Sequence, residues 1–455
     1  MATVHIGCGA GFAGDRFDAG VAVAATLAGA RGERFLIYEV LAERTLAIAQ
    51  KLRREDPAKG YSPYLDAYLS PVLSDCHRHG IRIVTNMGAA NPLGAARRVQ
   101  ALAAELGIKG LKVAAVTGDD LLARMSDVEI RAQPVIEGLA LGGRAIVAAN
   151  AYLGAQPIAR ALATGAHVVL VGRTTDAALS LGPLMHVHGW GSDQLDRLAQ
   201  GTLCGHLLEC GAQVTGAYFC DPGFKDVPGL ADVGFPIAEV DESGELVVAK
   251  AANSGGLVDR ATVIEQMLYE VHDPHNYLTP DVVMDLGEVT LDQVGVDRVR
   301  VQGARGKPPP ATLKATVCVD AGWLGEGEIS YAGPNALARA ELAASVVRLR
   351  CRSLEIDERV RVEVLGTQAI LDSDTQGRRA RVAAPNDLEY RVRAAVRSAK
   401  RETAQRVADE VLSLYCSGPA AGAGVRQHVS AQVSTASILV DRARVQPEVT
   451  LVGTE

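Results

Sequence analysis

The first half of the chain repeats one pattern, in which a short apolar run is followed by a glycine or polar turn and then by a segment of helical periodicity. The apolar runs lie at residues 4–6, 35–38, 81–85, 112–117, 145–149 and 168–171. Each run is continuous rather than alternating, which is typical of parallel strands that are covered on both faces. The repeat therefore predicts the α/β fold class, with a three-layer parallel-sheet domain over residues 1–235.

In the second half the pattern changes to paired strands and longer helices. Residues 235–240 and 245–250 predict two strands joined by a tight turn at 241–244. Further elements are predicted as strands at 298–302 and 312–319 and as helices at 262–272, 336–350 and 390–414. We expect an α+β domain over residues 236–455 with a mainly antiparallel sheet. Its boundary is placed in the stretch 221–235, where proline and glycine cluster.

Composition excludes several classes of protein for this chain of 455 residues. The net charge is −7 and only 4% of residues are aromatic, whereas nucleic-acid binders carry basic surfaces and stacking aromatic side chains. No apolar run approaches the ~20 residues of a membrane span, and the amino terminus lacks a signal-peptide pattern. The eight cysteines form no C-x-x-C pair, which predicts reduced thiols, a cytoplasmic location and no zinc site.

Polar side chains are concentrated in the turns that follow the predicted strands. They are Asp15, Glu39, Asn86, Asn91, Asp119, Asp120, Asn150, Arg173, Thr174 and Asp176. In open parallel sheets ligands bind beyond the carboxyl ends of the strands, so these turns predict a ligand crevice at one edge of the sheet. The members expected to face it are Asp15, Asn86, Asp119 and Arg173. The alternative for each Asn, Asp or Thr is a helix cap, and Asn91 before Pro92 has the pattern of an N-cap.

Arg173 differs from the other turn residues because a cation at the amino end of a helix opposes the helix macrodipole. Either an anionic ligand or the carboxylate of Asp176, three residues along the chain, must compensate for its charge. Two hypotheses therefore stay open for Arg173, an anchor for an anionic substrate and a structural ion pair.

The first turn contains Gly9, Gly11 and Gly14 in the spacing G-x-G-x-x-G, and Glu39 ends the second predicted strand. This is the outline of a dinucleotide-binding turn, in which glycines let a pyrophosphate approach backbone N–H groups. The nearby carboxylate of Asp15 would repel a pyrophosphate. The alternatives are a tight turn that binds another anion and a turn that serves only packing.

The segment 205–213 combines His206, Glu209 and Gln213, which would share one face of a continuous helix. Glu209 could then act as a general base tuned by His206, and the alternative is a buried pair that braces the structure. Cys210 is a weaker nucleophile candidate, because no second histidine is near in sequence. The pairs His77/His79 and His186/His188 have metal-ligand spacing but are predicted to be helix ends.

Several segments together resemble one family, the acyclic terpene utilization protein A (AtuA) family. They are GFAGDRFDA at 11–19, IVTNMGAANP at 83–92, VTGDD at 116–120, GRTTDAAL at 172–179, GHLLECGAQ at 205–213 and GEGEISYAG at 325–333. The resemblance covers most of the chain and weakens after about residue 355. It implies a cytosolic protein found among enzymes of branched-chain acid and isoprenoid catabolism, whose intermediates are acyl-CoA thioesters. It also implies a separate ferredoxin-like small subunit, because family members often carry or are encoded beside such a module.

From these features we predict an enzyme that acts on a carboxylated or CoA-linked branched acid, a lyase of hydratase or dehydratase type, and that assembles as a homo-oligomer. The predicted binding residues are Gly9, Gly11, Gly14, Asp15, Asn86, Asn91, Asn150, Arg173 and Thr174. The catalytic candidates are Glu209, Asp176 and Asp119 as proton carriers and His206 as a partner. The sequence requires no cofactor and predicts no metal. The alternatives are a hydrolase of the same substrates, a nicotinamide-dependent oxidoreductase and a non-catalytic subunit of a catabolic complex.

Overall fold

The computed structural model of the protein describes residues 3–138, 141–366 and 389–453. The chain forms two compact units within a mixed α/β architecture. The first unit comprises Met1–Gly142, Ile146–Cys318 and Thr435–Glu455, and the second comprises Gly143–Ala145 and Val319–Ser434.

The strands and α-helices are numbered in chain order across both units. The strands are β1 Val4–Cys8, β2 Glu33–Tyr38, β3 Arg82–Thr85, β4 Val113–Thr117, β5 Val135–Gly138, β6 Ile146–Ala151, β7 Val168–Val171, β8 Pro236–Val240, β9 Leu246–Lys250, β10 Tyr277–Leu278, β11 Val283–Asp285, β12 Thr290–Gly295, β13 Arg298–Gln302, β14 Arg305–Lys307, β15 Thr312–Ala332, β16 Arg361–Leu365, β17 Glu389–Ser398, β18 Gly422–Asp441 and β19 Glu448–Val452. The α-helices are α1 Ala19–Ala28, α2 Glu43–Glu55, α3 Leu65–Leu69, α4 Leu73–His79, α5 Pro92–Glu105, α6 Asp127–Arg131, α7 Gln156–Ala163, α8 Ala178–His188, α9 Leu195–Leu208, α10 Arg260–Leu268, α11 Ala336–Ser353, α12 Arg401–Leu412 and α13 Leu414–Ser417. Most bounds agree with the predicted elements to within a few residues.

A ten-stranded sheet forms the centre of the first unit, in the order β12-β13-β9-β8-β1-β2-β3-β7-β4-β19. The five strands from β1 to β4 in that order pair in parallel, as the continuous apolar runs predict. Their core residues, such as Ile6, Leu36 and Val169, are buried. The turns after β1, β2, β3, β4 and β7 therefore lie at the same edge of the parallel strands.

The predicted strand at 145–149 exists but does not belong to the parallel sheet. It is β6, which pairs with β15, and the N–H of Tyr152 just beyond it donates to the carbonyl of Lys314 at 2.9 Å. All six residues of β6 are buried. Its apolar run therefore reflects burial rather than a place among the parallel strands, and this part of the prediction is wrong.

The predicted hairpin at 235–250 is confirmed, but it extends the same sheet. β8 pairs antiparallel with β1 and with β9, and β13 pairs with β9. Residue 235 therefore lies inside the first compact unit, because these backbone hydrogen bonds join both sides of the predicted domain boundary. The division into 1–235 and 236–455 differs from the compact units for this reason.

The second unit consists of antiparallel strands and helices. β17 pairs with the Trp323–Ala332 part of β15 and with β16. Gly325 and Gly327 let α12 pack closely, since a Cβ atom on Gly325 would lie 2.0 Å from the carbonyl oxygen of Ala404.

The helix predicted at 390–414 is wrong in its first half, which is the strand β17. Buried Tyr390, Val392, Ala394 and Val396 alternate there with less buried residues, the period of two that a strand shows. Helix α12 occupies most of the rest of the predicted range.

Candidate functional site

Glu39 follows β2 and is held from two sides. Its Oε1 accepts hydrogen bonds from the backbone N–H of Leu41 at 3.0 Å and from the side-chain amide of Asn86 at 2.8 Å. Asn86, in the turn after β3, is itself fixed because its Oδ1 accepts the N–H of Val40 at 2.8 Å. Burial raises the pKa of Glu39 to about 8, and the negative charge of Asp176 adds to this effect. Asn86 therefore positions a carboxyl group that is protonated at neutral pH.

Arg173 and Asp176 in the turn after β7 form the ion pair that the sequence offered as one of two hypotheses. Arg173 is 2% exposed and donates to the carboxylate of Asp176, to the carbonyl of Leu41 and to the carbonyl of Thr174. The ring centre of Tyr152 lies 4.3 Å from its guanidinium carbon. This positive charge is therefore compensated within the fold.

Asp176 differs from Arg173 in its access to solvent, since 38% of its side chain is exposed. Burial nevertheless raises its pKa, with Arg173 opposing and the charge of Glu43 adding to the increase. Asp176 is thus a partly exposed carboxyl group whose pKa is raised above its ordinary value.

Glu209 and His206 lie at the end of α9 and form a second pair. The Nδ1 atom of His206 is 2.9 Å from Oε1 of Glu209, and its Nε2 is 3.2 Å from the carbonyl oxygen of Met267. His206 is 1% exposed. Because the carbonyl can only accept, Nε2 carries a proton, and a further proton is shared between Nδ1 and Glu209. His206 therefore has no ring nitrogen free to contact a substrate, and its hydrogen bond holds the carboxyl group of Glu209 in position.

Burial raises the pKa of Glu209 to about 7, against the opposing hydrogen bond from His206. The negative charges of Asp176 and Glu270 raise it further. The charge of Asp176 thus acts on both Glu39 and Glu209. We call Glu39, Asp176 and Glu209 the acidic cluster. Carboxyl groups with pKa values of about 8 and about 7 can donate and accept protons near neutral pH.

Four residues of this site were not singled out from the sequence. They are Glu43, Tyr152, Glu270 and Tyr277. The hydroxyl of Tyr152 donates to Glu43, and the ring centre of Tyr277 lies 5.4 Å from that of His206. Each comes from a segment without a chemical motif, so no local signal could have found it.

Asp119 and Asn150 were predicted as site residues, and in the structure their side chains bond to each other and to the turn that carries Arg173. Oδ2 of Asp119 accepts the backbone N–H of Arg173 at 2.9 Å and the amide of Asn150 at 2.8 Å. The amide of Gln50 donates in turn to Asn150 at 3.3 Å. Burial raises the pKa of Asp119 to about 6. These bonds join the ends of β4, β6 and β7.

Asn91 and Thr174 also use their side chains within the fold. Asn91 caps α5, where its Oδ1 accepts the N–H of Gly94 at 3.0 Å, as its position before Pro92 predicts. The hydroxyl of Thr174 donates to the carbonyl of Leu153 at 2.8 Å. The helix-cap alternative is the one realised at Asn91.

The contacts of the glycine turn support the alternative in which the turn serves only packing. A Cβ atom on Gly9 would lie 2.5 Å from the ring of Tyr38, and one on Gly11 would lie 2.3 Å from the carbonyl carbon of Cys210. The N–H of Gly11 donates to the carboxylate of Asp15 at 2.9 Å. A side chain of the protein therefore takes the N–H that a pyrophosphate would need. Gly14, at φ +95°, has open space around it.

The remaining candidates of the segment 205–213 are Gln213 and Cys210. Helix α9 ends at Leu208, and Gln213 belongs to a separate short 3₁₀ helix, so it does not share a helical face with His206. Burial and the charge of Glu209 raise the pKa of Cys210, which disfavours a thiolate nucleophile. Among the residues that the structure describes, no group of three or more His, Cys, Asp or Glu side chains could hold a metal ion.

Comparison with known families agrees with the motifs. The family described as "Acyclic terpene utilisation family protein AtuA" matches residues 4–451, nearly the whole chain. The chain belongs to the AtuA family. In this AtuA-family chain, the segments 172–179 and 205–213 supply Asp176 and Glu209 of the acidic cluster. The family description indicates a role in the utilisation of acyclic terpenes.

Comparison with curated proteins and with solved structures gives no further relative of this chain. No curated protein matches the chain, and no solved structure matches it. Within the described ranges, every helix is too short or too polar to cross a membrane.

Proposed function

We propose that this AtuA-family protein is a hydro-lyase that adds water to, or removes it from, a branched, carboxylated or CoA-linked acid in cytoplasmic acyclic terpene catabolism. The observation that carries the proposal is the pair of buried carboxyl groups Glu39 and Glu209, of which Asn86 holds the first at 2.8 Å and His206 the second at 2.9 Å, and whose pKa values are both raised. Hydration of a double bond conjugated to a carbonyl needs one base and one acid on a fixed scaffold, and two such carboxyl groups meet this need.

In the direction of hydration, Glu209 accepts a proton from water while the water oxygen bonds to the β-carbon of the substrate. The electron pair of the double bond then takes a proton at the α-carbon from Glu39, which is protonated at neutral pH because of its pKa of about 8. Dehydration runs through the same steps in reverse. No electron is gained or lost overall, so the proposed reaction consumes no redox partner.

His206 is the positioning residue in this scheme. Its contacts with Glu209 at 2.9 Å and with the Met267 carbonyl at 3.2 Å fix the carboxyl group and keep its pKa from rising further. Asn86 does the same for Glu39 through its 2.8 Å hydrogen bond. Asp119 and Asn150 support the turn that carries Arg173 and stay candidates only in that indirect sense.

The test is an assay of purified protein with a panel of branched α,β-unsaturated acids and their CoA thioesters. Loss of the conjugated double bond reports hydration, and release of a free thiol reports the hydrolase alternative. We expect hydration that falls by about 10²-fold or more in both Glu39→Gln and Glu209→Gln. Asp281→Asn is the matched control, since Asp281 is another buried acid with a pKa raised to about 6, but it accepts the N–H of Ala155 instead.

Three results would count against the proposal. Thiol release without loss of the double bond would support the hydrolase. Equal losses in Asp281→Asn and in the two cluster variants would indicate general destabilisation. Turnover only in the presence of a co-purified small protein would support a non-catalytic or partner-dependent role, including the ferredoxin-like subunit that the family resemblance implies.

A further inference from the structure

A groove of about 980 Å³ opens between the segment 219–226 and helix α10. Its walls include Phe219, Phe224, Ile264 and Leu268. The volume lies at the upper end of the range of pockets that bind small molecules. Phe224 is 88% exposed and Leu268 is 51% exposed, so both present apolar surface to solvent at the groove.

The exposure of Phe224 follows from the local backbone. Asp221 and Lys225 form a short antiparallel bridge, and the N–H groups of Phe224 and Lys225 both donate to the carbonyl of Asp221, at 2.9 and 2.7 Å. Gly223 at φ +82° allows this tight turn. The turn therefore holds an aromatic ring at the mouth of the groove.

The carboxyl end of α10 forms a wall shared by the groove and the acidic cluster. On one side, the Met267 carbonyl contacts His206, and the amide of Gln266 donates to the backbone carbonyl of His206 at 3.2 Å. On the other side, the next residues along the chain, Leu268 and Glu270, line the groove. The groove is thus separated from the Glu209–His206 pair by a single turn of chain.

Charge at the groove selects against anions. Its charged lining consists of Asp226, Asp259, Glu265, Glu270 and Lys225. Lys225 is paired with Glu265, so the remaining lining charge is negative. Phosphate groups of a CoA moiety would be repelled here, whereas an uncharged hydrocarbon chain would bury apolar surface against Phe219 and Leu268.

We propose that this groove binds the hydrocarbon chain of the substrate, a branched aliphatic acyl chain, while the charged head group stays outside the groove. This inference rests on the proposed function for the identity of the substrate. The aromatic and aliphatic walls would then set the preference for long chains over short ones.

The test measures binding rather than turnover. The full-length protein is titrated with a dansyl-labelled fatty acid, whose fluorescence reports an apolar environment, and the bound probe is competed with decanoic acid or with butyric acid. We expect saturable binding, displacement by decanoic acid and little displacement by butyric acid. Leu268→Asp should weaken probe binding by about tenfold or more, because the new carboxylate must be desolvated against the chain.

The matched control is Leu342→Asp on α11, where the leucine is 56% exposed and lies far along the chain from the groove. It should bind the probe as the parent does. Equal binding of the probe by Leu268→Asp and the parent would overturn the groove proposal. If Leu268→Asp also changed the oligomeric state while its probe affinity stayed the same, the surface would instead be an interface between copies of the chain. Loss of binding in Leu268→Asp together with absent hydration in every substrate assay would refute the proposed reaction but keep the groove.

Discussion

Arg173 donates a hydrogen bond to the carboxylate of Asp176, three residues along the chain, from a position where only 2% of Arg173 is exposed. The same guanidinium reaches the carbonyls of Leu41 and Thr174 and packs on the ring of Tyr152. These contacts tie the turn after β7 to the turn after β2. They also place one positive charge beside the acidic cluster, where it opposes the increase in the pKa of Glu39.

Arg173→Ala should therefore destabilise the protein. Removing one partner of a buried ion pair typically costs about 3–5 kcal/mol, and we expect about 3 kcal/mol here because Asp176 is partly exposed. Arg173→Lys should recover only part of this loss, since an ammonium group cannot reproduce the planar guanidinium contacts. The free energy of unfolding from urea titration measures the effect.

Arg350→Ala is the control, because Arg350 is an exposed partner of Glu410 and its loss should destabilise the protein much less than the loss of Arg173. An unchanged or increased stability of Arg173→Ala would contradict the structural pair. That result would instead favour the anion-anchor hypothesis, which stays a prediction until a ligand is tested.

Local sequence patterns predicted the strands and the helix start around this site, but not which of its carboxyl groups have raised pKa values. The continuous runs predicted β1, β2, β3, β4 and β7 because burial on both faces leaves a local trace in composition. Asn91 before Pro92 predicted the start of α5, because a helix cap is a contact between residues that are close in sequence. Strand β17 was predicted as a helix although Tyr390, Val392 and Val396 alternate there with arginines, because alanine and arginine are also strong helix formers.

The acidic cluster could be predicted only in part. Asp176 and Glu209 were recognised from their motifs, and His206 was correctly paired with Glu209 because the two are only three residues apart. Glu39 was predicted only as one of the polar turn residues and as part of the outline of a dinucleotide-binding turn, because its raised pKa depends on burial and on Asp176, which lies far along the chain. Segments that are far apart in the sequence bury these carboxyl groups and thereby raise their pKa values, and no local sequence pattern indicates this burial.

The pKa of Glu39 predicts a pH dependence of stability. Burial raises this pKa from an ordinary 4.5 to about 8, so the folded protein binds a proton that the unfolded chain has released within this window. Stability from the protonated group is fully present below about pH 4.5 and is lost as the pH rises through about 8. Glu39→Gln should match the parent near pH 5 and exceed its unfolding free energy near pH 9 by a few kcal/mol at most, on the order expected from the shift.

Glu129→Gln provides a control of opposite sign. Hydrogen bonds from Ser126, with a contribution from Arg444, lower the pKa of Glu129 to about 2, so this group stabilises the folded state at neutral pH and loses the effect in acid. In urea titrations near pH 9, Glu39→Gln should be more stable than the parent and Glu129→Gln less stable, whereas near pH 5 only Glu129→Gln should deviate. Parallel behaviour of Glu39→Gln and the parent would show that Glu39 ionises normally.

His206→Gln should shift the pH profile of the proposed hydration. His206 lowers the pKa of Glu209 through their hydrogen bond, so its loss should move that pKa above about 7. If Glu209 acts as the base, the acidic limb of kcat against pH then moves to higher pH, and activity recovers at alkaline pH. A uniform loss of kcat at all pH values would indicate that His206 is only structural.

The eight cysteines differ in exposure, and we therefore expect them to react with thiol reagents at different rates. All eight are free, and Cys416 is the exposed one, while Cys8, Cys76, Cys204, Cys318 and Cys351 are buried. Denatured protein should titrate about eight thiols without reductant, whereas native protein should show one fast thiol that disappears in Cys416→Ser. Fewer thiols in the denatured protein, restored by reductant, would contradict the proposed cytoplasmic location.

Gly11→Ala tests whether the first turn packs against the chain or receives a dinucleotide. Its new Cβ atom would lie 2.3 Å from the carbonyl carbon of Cys210 and 2.5 Å from the nitrogen of Gly211, both backbone atoms, so we expect a loss of about 1–3 kcal/mol in unfolding free energy. Gly143→Ala, which would have open space around it, should cost less. Titration of the parent with NADH and NADPH should show no saturable change in cofactor fluorescence, because Asp15 already accepts the N–H of Gly11. Saturable cofactor binding that Gly11→Ala abolishes would instead revive the oxidoreductase alternative, since it would require the turn to open for a pyrophosphate.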